Sequence, residues 1–424
     1  MVGLRAERLV GGGSALAHHE GETWLVSGAL PGEMITAEPQ GRRAGVVEAR
    51  ALAVVAEPHP ARVADPCPHA PACGGCDWSH VEPLAGALLK RDVAAGAARA
   101  HGDLAGLLAA APVQPSPLAY RLRARLHWDP ERAVLGFYEP RSWKVCPIAG
   151  CRILSPALRD SLAAIGDALA TRCPRPVDVE WLEDLGGERA VVALRPAAQG
   201  PAELPRSWVP LAEELGPPVA GAHLLSKSGH LAPVWGSESV TMSLPIPLEV
   251  PVGAFFQGNR HLVSWLFDRV AALAGPAEVP AWDLHAGVGF LAAATCRPRA
   301  DGGQRALVLV EPYRPAASAA ARNLPQARVV SGRTAEAYLA RSGRLPRAAL
   351  VVTDPPRIGL SRGLRYSLAG WHPQRLLMLA CDPSTWARDA AFFLARGYSL
   401  THLELVDLFP ATHHVELVAM LETP

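Results

Sequence analysis

The chain has 424 residues, of which 49% are hydrophobic and 19% charged, and its formal net charge is +1. At roughly 100–200 residues per domain, this length predicts two or three domains. The near-neutral charge excludes a protein that coats nucleic acid by bulk attraction, although a local basic face is compatible with it. No segment approaches the roughly 20 apolar residues that span a bilayer, and a secretory signal is absent, so we expect a cytoplasmic protein without membrane contact.

The N-terminal segment runs from Leu4 to about Pro58 and alternates apolar and polar residues between glycine-rich turns, as in WLVSGALPGE and MITAEP. Several short strands joined by turns are typical of a small β-barrel. We therefore predict a barrel of the TRAM or OB type for residues 1–58.

The middle of the chain begins with a loop rich in Pro, Gly and Cys, and residues Ala85 to Ala111 then predict helix. From Ala119 to about Val240, strand-like and helical stretches alternate between proline-rich breaks. This pattern indicates a central α+β domain, so residues 59–250 are predicted to hold the cysteine-rich loop and that domain.

Beyond about Val250, apolar runs at Ala306–Val310, Ala348–Val352 and Leu376–Leu379 alternate with helical stretches. Strands that alternate with helices indicate βαβ units and a parallel sheet. The fold class is therefore α/β, with a Rossmann-like domain expected over residues 251–424.

The cysteine-rich loop holds three thiols within ten residues, Cys67, Cys73 and Cys76. Eight cysteines in a chain expected in the cytoplasm favour metal binding or catalysis over a disulfide framework, and buried packing alone would not require this close spacing with intervening glycines. Three thiolates suit zinc or an iron–sulfur cluster, and the spacing alone does not separate the two. The candidates for a fourth ligand are Cys146, Cys151, His69 and His80.

A glycine loop in AWDLHAGVGFLAAA follows a strand that ends at Asp283 and turns through Gly287 and Gly289 into an Ala-rich helix. A ligand is expected at that strand edge. The segment GVGFLA also fits a dinucleotide-binding pattern, with Glu311 at the distance expected for a ribose-binding acid. The acid immediately before the loop favours S-adenosylmethionine over a nicotinamide.

Two further strand ends carry polar groups. In ALVVTDPPRIG, Pro355 forces an extended backbone before it, which holds Asp354 and Arg357 toward a ligand. In RLLMLACDPSTWARD, Cys381 ends a strand, and Asp382 and Ser384 are candidate caps for a helix that begins near Thr385. A helix N-terminus stabilises a thiolate, so Cys381 is a candidate nucleophile.

The segment LVDLFPATHHVELVAM supplies Asp407, His413, His414 and Glu416. The apolar neighbours of Glu416 predict burial and a raised pKa, which suits a general base. The two histidines and Glu416 could instead bind a metal ion, but adjacent residues on a strand point to opposite sides, which disfavours that alternative.

In this order, the segments together resemble the RNA uracil-5-methyltransferase family nearly from end to end. The segment WLVSGALPGE resembles the family's TRAM barrel, and CPHAPACGGCDWSH resembles its iron–sulfur signature. The central region, YRLRARLHW to CRILSP, is similar as well, and AFFQGN, DLHAGVG, VEPYRPA, DPPRIGL, ACDPSTWARD and DLFPATHHVE follow in the family's order.

The resemblance implies that Cys381 adds to carbon 6 of uracil, that carbon 5 then takes a methyl group from S-adenosylmethionine, and that Glu416 removes the proton from carbon 5. The uridine would be flipped out of its stack. The implied base-binding residues are Phe255, Asp354 and Arg357. The implied cofactor-binding residues are Gln257, Asp283, Gly287, Gly289, Glu311 and Asp354. The implied ligands of a structural 4Fe-4S cluster are Cys67, Cys73, Cys76 and Cys151.

The expected partner is RNA, with ribosomal RNA favoured over transfer RNA, and the protein is expected to be a monomer without a protein partner. Two other functions are alternatives: a catalytically weak RNA-binding protein that keeps the fold, and a nicotinamide-dependent enzyme.

Several residues depart from the family pattern. A carboxylate at position 382, beside the thiol, is expected to oppose thiolate formation. The departures are His285, Ala286, Phe290, Ala380 and Asp382.

Overall fold

A computed structural model describes residues 1–64, 67–70, 72–296, 302–341 and 349–423. Its strands form three large sheets, which follow one another along the chain, and a short two-stranded ribbon. Within the described ranges, no helix is long and apolar enough to cross a bilayer.

The N-terminal sheet has the strand order β1-β5-β6-β4-β3-β2 and buries one side of each strand around Trp24, Val26 and Ile35. The run of short strands expected from the alternating pattern is therefore present, whereas its assignment as a TRAM barrel stays a prediction. The strands are β1 (Val2–Arg5), β2 (Arg8–Leu9), β3 (Ala15–His19), β4 (Glu22–Ser27), β5 (Met34–Arg43) and β6 (Val46–Ala56).

The single helix expected over Ala85–Ala111 is two helices, α1 (Pro83–Ala97) and α2 (Leu104–Ala110), separated by a 3-10 turn. The break includes Gly102, which adopts a positive φ of 60° that a continuing helix does not allow. Glu82 caps α1 by accepting a hydrogen bond from the Ala85 amide at 2.7 Å.

The central sheet has the order β10-β9-β8-β11-β12-β13-β14, and helix α3 packs against it. This arrangement matches the α+β domain expected from the sequence. A two-stranded ribbon, β15 and β16, leads on toward the C-terminal sheet. The elements are β8 (Arg123–Asp129), β9 (Val134–Tyr138), β10 (Val145–Pro147), α3 (Pro156–Arg172), β11 (Val177–Glu183), β12 (Ala190–Pro196), α4 (Ala212–Leu215), β13 (Val219–Leu225), β14 (Leu231–Gly236), β15 (Ser239–Met242) and β16 (Leu248–Pro251).

The C-terminal sheet has the order β19-β18-β17-β20-β21-β23-β22-β7, where β7 is Val113–Gln114. Strands β17 to β21 are mutually parallel, and β23 is antiparallel to both of its neighbours. The elements are α5 (Val263–Leu273), β17 (Ala281–Asp283), α6 (Phe290–Thr295), β18 (Leu307–Glu311), α7 (Arg314–Asn323), β19 (Arg328–Ser331), α8 (Ala335–Leu339), β20 (Leu350–Thr353), α9 (Arg362–Trp371), β21 (Arg375–Ala380), α10 (Pro383–Leu394), β22 (Ser399–Val406) and β23 (Glu416–Glu422).

The expected parallel α/β sheet is thus present, and the three apolar runs lie in β18, β20 and β21. Ala348, the expected start of the second run, lies outside the described residues. The strand order reverses at β17, whose neighbours are β18 and β20. In such sheets ligands bind in the crevice at the carboxyl ends of the strands where the order reverses. The fold therefore directs the polar strand ends into one crevice.

Candidate active site

A cavity of about 570 Å³ occupies this crevice, a size typical of small-ligand sites. It lies between the C-terminal sheet and the start of the central sheet. Most of the residues singled out in the sequence line it, whereas Asp283 and Gly289 do not. The lining includes Phe255, Gln257, Gly287, Glu311, Asp354, Arg357, Cys381 and Glu416.

Asp283 holds the glycine loop from behind. Its Oδ1 accepts a hydrogen bond from the His285 amide and its Oδ2 accepts one from the Ala292 amide, each at 3.2 Å. Burial, together with the nearby carboxylates of Asp354 and Glu311, raises the pKa of Asp283 to about 7. Asp283 therefore supports the loop and helix α6, and its expected contact with a cofactor stays a prediction.

Glu311, at the end of β18, does line the cavity. Its Oε2 accepts a hydrogen bond from the Gly287 amide at 2.8 Å, and its Oε1 accepts one from the Tyr313 amide at 2.7 Å. Burial raises the pKa of this carboxyl group. Gly289 has a positive φ of 92°, and a Cβ there would lie 3.2 Å from Leu324, so this glycine serves the turn and the packing behind it.

Two departures from the family pattern have structural accounts. His285 lines the cavity, and its Nδ1 is 2.8 Å from the Thr353 hydroxyl. Burial lowers the pKa of His285 to about 4, so the ring is neutral at neutral pH. Phe290 packs edge-on against Phe256, with ring centroids 5.4 Å apart, and so adds to the core beneath the cavity.

The residues that the resemblance assigns to the base, Phe255, Asp354 and Arg357, also line the cavity. Gln257 Nε2 donates a hydrogen bond to Asp354 Oδ2 at 3.2 Å, which links a residue assigned to the cofactor with one assigned to both the cofactor and the base. Burial raises the pKa of Asp354 to about 6. Phe255 is 57% exposed, and the Arg123 guanidinium lies 5.8 Å from the centre of its ring, so one ring face is accessible to a ligand.

Cys381 lies at the end of β21, immediately before helix α10. Burial raises the pKa of its thiol to about 12, helped by the carboxylates of Glu416 and Asp354 and opposed by Arg357. The stabilisation expected from the helix N-terminus is therefore outweighed. Asp382 is the helix cap, as expected, with Oδ1 accepting from the Thr385 amide at 2.8 Å, and the helix begins two residues early, at Pro383.

Glu416 opens β23 and is 5% exposed. Burial raises its pKa well above the usual range, Asp354 adds to the effect, and Arg357 opposes it. The raised pKa expected from its apolar neighbours is thus found. Glu416 Oε2 has no hydrogen-bond partner among the described residues, and so one acceptor is available to a ligand.

His414 also lines the cavity, and its Nε2 is 3.2 Å from Arg357 Nη2, which donates to it. Burial lowers the pKa of His414 to about 4. His413 does not line the cavity, and its amide donates a hydrogen bond to Asp77. Among the described residues, no group of three His, Cys, Asp or Glu side chains is arranged to hold a metal ion. This finding covers His413, His414 and Glu416, and it covers the cysteines at positions 67, 73, 76 and 151 as well.

Sequence reasoning did not single out three residues that the central domain contributes to the cavity: Tyr120, Arg121 and Arg123. The signal was present in YRLRARL, where arginines recur at every second position and so share one side of a strand. Of the three arginines at alternate positions, Arg125 forms an ion pair with Glu180 at 2.7 Å. Arg121 and Arg123 face the cavity instead, which gives it a positive wall.

The cysteine-rich loop forms a second, much smaller cavity. Cys67, Cys73, Cys76 and Cys151 all line it, together with His69, whereas Cys146 and His80 do not. The two glycines are required by close approach: a Cβ on Gly74 would lie 2.8 Å from the Tyr138 carbonyl oxygen, and one on Gly75 would lie 3.1 Å from Phe137.

No family model matches the chain. Curated relatives match it along its whole length. The 23S rRNA (uracil(1939)-C(5))-methyltransferase of Pseudomonas putida is 31% identical, with 99% of this chain and 93% of the relative covered. The chain belongs to the RNA (uracil-C5)-methyltransferase family. An RNA methyltransferase of Streptomyces avermitilis with no assigned specificity is also 31% identical, with 97% of this chain and 95% of the relative covered.

The fold has a solved counterpart. The crystal structure of the tRNA (uracil-54, C5)-methyltransferase of Pyrococcus abyssi, in complex with S-adenosyl-L-homocysteine, aligns with a TM-score of 0.74 at 21% identity. The alignment covers 99% of this chain and all of that one. The family resemblance read from the sequence is confirmed, and the protein is an RNA uracil-5-methyltransferase. The nicotinamide-dependent and catalytically weak alternatives are not favoured.

Proposed function

We propose that this methyltransferase modifies carbon 5 of a uridine in RNA, ribosomal rather than transfer RNA, through a covalent adduct of Cys381. The observation that carries the proposal is the shared cavity. One space brings the thiol of Cys381 together with the carboxylates of Glu416 and Asp354, and its other side is formed by Gly287 and Glu311.

The proposed chemistry uses the side chains in sequence. The Cys381 thiolate bonds to carbon 6 of the uracil, and the electron pair of the 5,6 double bond moves to carbon 5, spread toward the 4-carbonyl oxygen. Bound S-adenosylmethionine supplies the methyl group that carbon 5 takes up. Glu416 then accepts the proton from carbon 5, the double bond re-forms, and the thiolate leaves.

The surroundings of these groups support their roles. A raised pKa makes the Glu416 carboxylate a strong base once it is ionised. Arg357 favours the ionised forms of both Cys381 and Glu416, so it aids both the attack and the proton removal. The exposed face of Phe255 suits stacking on a flipped base, and Asp354 suits a hydrogen bond to the uracil ring.

On the cofactor side, we propose that Gln257, Gly287 and Glu311 contact S-adenosylmethionine. Each Glu311 oxygen already accepts one backbone hydrogen bond, which fixes the carboxylate and leaves lone pairs for ribose hydroxyls. Asp283 and Gly289 shape the loop without reaching the cavity.

We further propose that Cys67, Cys73, Cys76 and Cys151 hold a 4Fe-4S cluster. The four thiols line one cavity, and burial raises the pKa of Cys73 to about 11 and that of Cys76 to about 12. Buried thiols of this kind ionise only beside a cationic centre. In the described part of the chain, no three of these side chains are close enough to share one metal ion. A single tetrahedral zinc ion needs sulfurs about 3.8 Å apart, given Zn–S bonds of about 2.3 Å, whereas each cysteine of a 4Fe-4S cluster binds a different iron, so the ligands stand wider apart.

The test is trapping with RNA that carries 5-fluorouridine, because fluorine at carbon 5 cannot leave as a cation and the adduct persists. With S-adenosylmethionine present, we expect a protein–RNA species that survives denaturing electrophoresis and disappears in Cys381→Ser. Cys296→Ser is the matched control, since Cys296 lies outside the cavity and should leave the adduct intact. A wild-type enzyme that binds the cofactor and the RNA but forms no adduct would contradict the proposal.

The cluster has its own test. Anaerobically purified protein should be brown and contain iron and sulfide, and Cys151→Ala should lose both. Cys146→Ala is the control, because Cys146 is buried beside the loop but does not line the small cavity. Colourless protein with one zinc per chain would overturn this assignment.

A further inference from the structure

Residues 407–416, which follow β22 and end with the first residue of β23, have two sides with different neighbours. We call this segment the base loop, because Glu416 ends it. Its inner side forms part of the wall of the active-site cavity through Phe409, His414 and Glu416. Its outer side is held by the cysteine-rich segment, by helix α1 and by the N-terminal sheet. What fixes this loop therefore also fixes the general base.

The strongest outer contacts come from the residues that directly follow Cys76. Asp77 Oδ1 accepts a hydrogen bond from the His413 amide at 3.0 Å, and its Oδ2 pairs with His413 Nδ1. The next residue, Trp78, donates its amide hydrogen to the Ala411 carbonyl at 3.0 Å. Ala411 has a positive φ of 64°, an unfavourable backbone for a residue with a Cβ, so the loop needs such contacts to keep its shape.

The N-terminal sheet closes over the same point. Trp78 Nε1 donates to the Gly13 carbonyl at 3.0 Å. Gly13 lies directly on the side chain of His413, so that a Cβ at position 13 would overlap the Cβ of His413. His413 is thus enclosed by parts of the chain that are far apart in sequence.

Helix α1 anchors the start of the loop. Lys90 is 1% exposed, and its Nζ is 2.5 Å from Asp407 Oδ1 and 3.0 Å from the Phe409 carbonyl oxygen. This contact and the Asp77–His413 pair fix the loop at two points, one on each side of Ala411.

From His413 a short route leads to the reacting groups. The His413 and His414 rings lie 4.1 Å apart, and His414 Nε2 accepts from Arg357, which also lines the cavity beside Cys381. A shift of His413 would therefore move the partner of Arg357 and the strand start that carries Glu416.

We infer that Asp77 and His413 form a positioning pair, which makes the cysteine-rich segment a working part of the active-site wall rather than a separate module. The inference rests on the proposed function, since it concerns the placement of Glu416 and Arg357 for that reaction. The segment that carries Cys67, Cys73 and Cys76 then holds the general base in place.

The experiment measures the single-turnover rate of product release from the methylated adduct on ordinary uridine RNA, the dissociation constant for the same RNA, and the iron content. Asp77→Ala and His413→Ala should each slow product release by about tenfold to a hundredfold, as expected when reacting groups are displaced by about 1 Å. The dissociation constant and the iron content should stay within about twofold of the wild type.

Two further variants separate positioning from a general loss of structure. His413→Asn can place an amide N–H near the position of Nδ1, so it should recover most of the rate. The double variant Asp77→Ala/His413→Ala should be no slower than the slower single variant, because both remove the same contact. Asp178→Ala is the matched control: it removes a similar pair, His127 Nδ1 with Asp178 Oδ1 at 2.8 Å, and should leave the rate unchanged.

The results separate a failure of the proposed function from a failure of the positioning role. A wild-type enzyme without an adduct overturns the proposed function and this inference together. An active wild type with unchanged Asp77→Ala and His413→Ala rates overturns the inference alone. Rates that fall only in proportion to lost iron, or that multiply in the double variant, also overturn it, because the residues then act on cluster retention or independently.

Discussion

Raising the pH should accelerate the attack of Cys381 steeply. The pKa of about 12 that burial and two carboxylates impose on the thiol leaves about one molecule in 10⁵ ionised at pH 7. Only the thiolate attacks, so the rate of adduct formation should increase about tenfold per pH unit. Between pH 7 and pH 9 the increase is then about a hundredfold, with no plateau below pH 9.

The assay is single-turnover trapping with saturating 5-fluorouridine RNA and cofactor, with RNA binding measured separately at each pH. Arg357→Gln provides the internal comparison. Arg357 lowers the pKa of Cys381, so its loss should slow the reaction at every pH in this range and leave the slope unchanged. A rate that is flat between pH 7 and pH 9 would refute the reasoning, because the thiol proton would then pass to a group inside the pocket before attack.

Three other predictions concern single contacts. Glu416→Gln should form the adduct with ordinary uridine RNA and retain it after methylation, so that turnover falls by about 10²–10⁴-fold. The retained adduct is measured as labelled methyl groups that migrate with the protein in a denaturing gel. Rapid release of the methylated RNA would exclude Glu416 as the base. Lys90→Met should lower the free energy of unfolding by about 3–5 kcal/mol, because it leaves the Asp407 carboxylate buried without its ion-pair partner. The measurement is an anaerobic urea titration, and a change below about 1 kcal/mol would contradict that account. Gly13→Ala should destabilise the folded protein more than Gly12→Ala, because both glycines have a positive φ but only Gly13 lies against His413. Equal decreases of the melting temperature in thermal melts would exclude the packing argument.

Much of the site could be predicted because its residues follow apolar strands. Asp354 and Cys381 each come directly after such a run, and the carboxyl ends of parallel strands meet at one edge. Their convergence therefore follows from the sequence pattern. The same reasoning did not reveal that Asp283 binds the amides of the glycine loop and of helix α6, because a strand end does not say whether a carboxylate faces a cavity or the loop behind it.

The helix expected over Ala85–Ala111 shows another limit of sequence reasoning. Apolar and alanine-rich residues continue across the whole stretch, but the positive φ of Gly102 divides it. A glycine inside a helical pattern is often tolerated, so the break depended on how the two halves pack. The second half packs against the C-terminal sheet through Leu104 and Leu108, a contact that the local pattern does not contain.

The sequence by itself determined the family and the α/β class and indicated Cys381 as the proposed nucleophile, because these depend on ordered motifs and on strand periodicity. Only the tertiary structure decided what surrounds each group. The pKa of Cys381 is set by burial and by carboxylates from other strands, and Asp77 meets His413 across 336 positions of the chain. Neighbours so distant in sequence are determined by the packing of whole domains, so no local pattern records that the cysteine-rich segment contacts the loop before Glu416, the proposed general base.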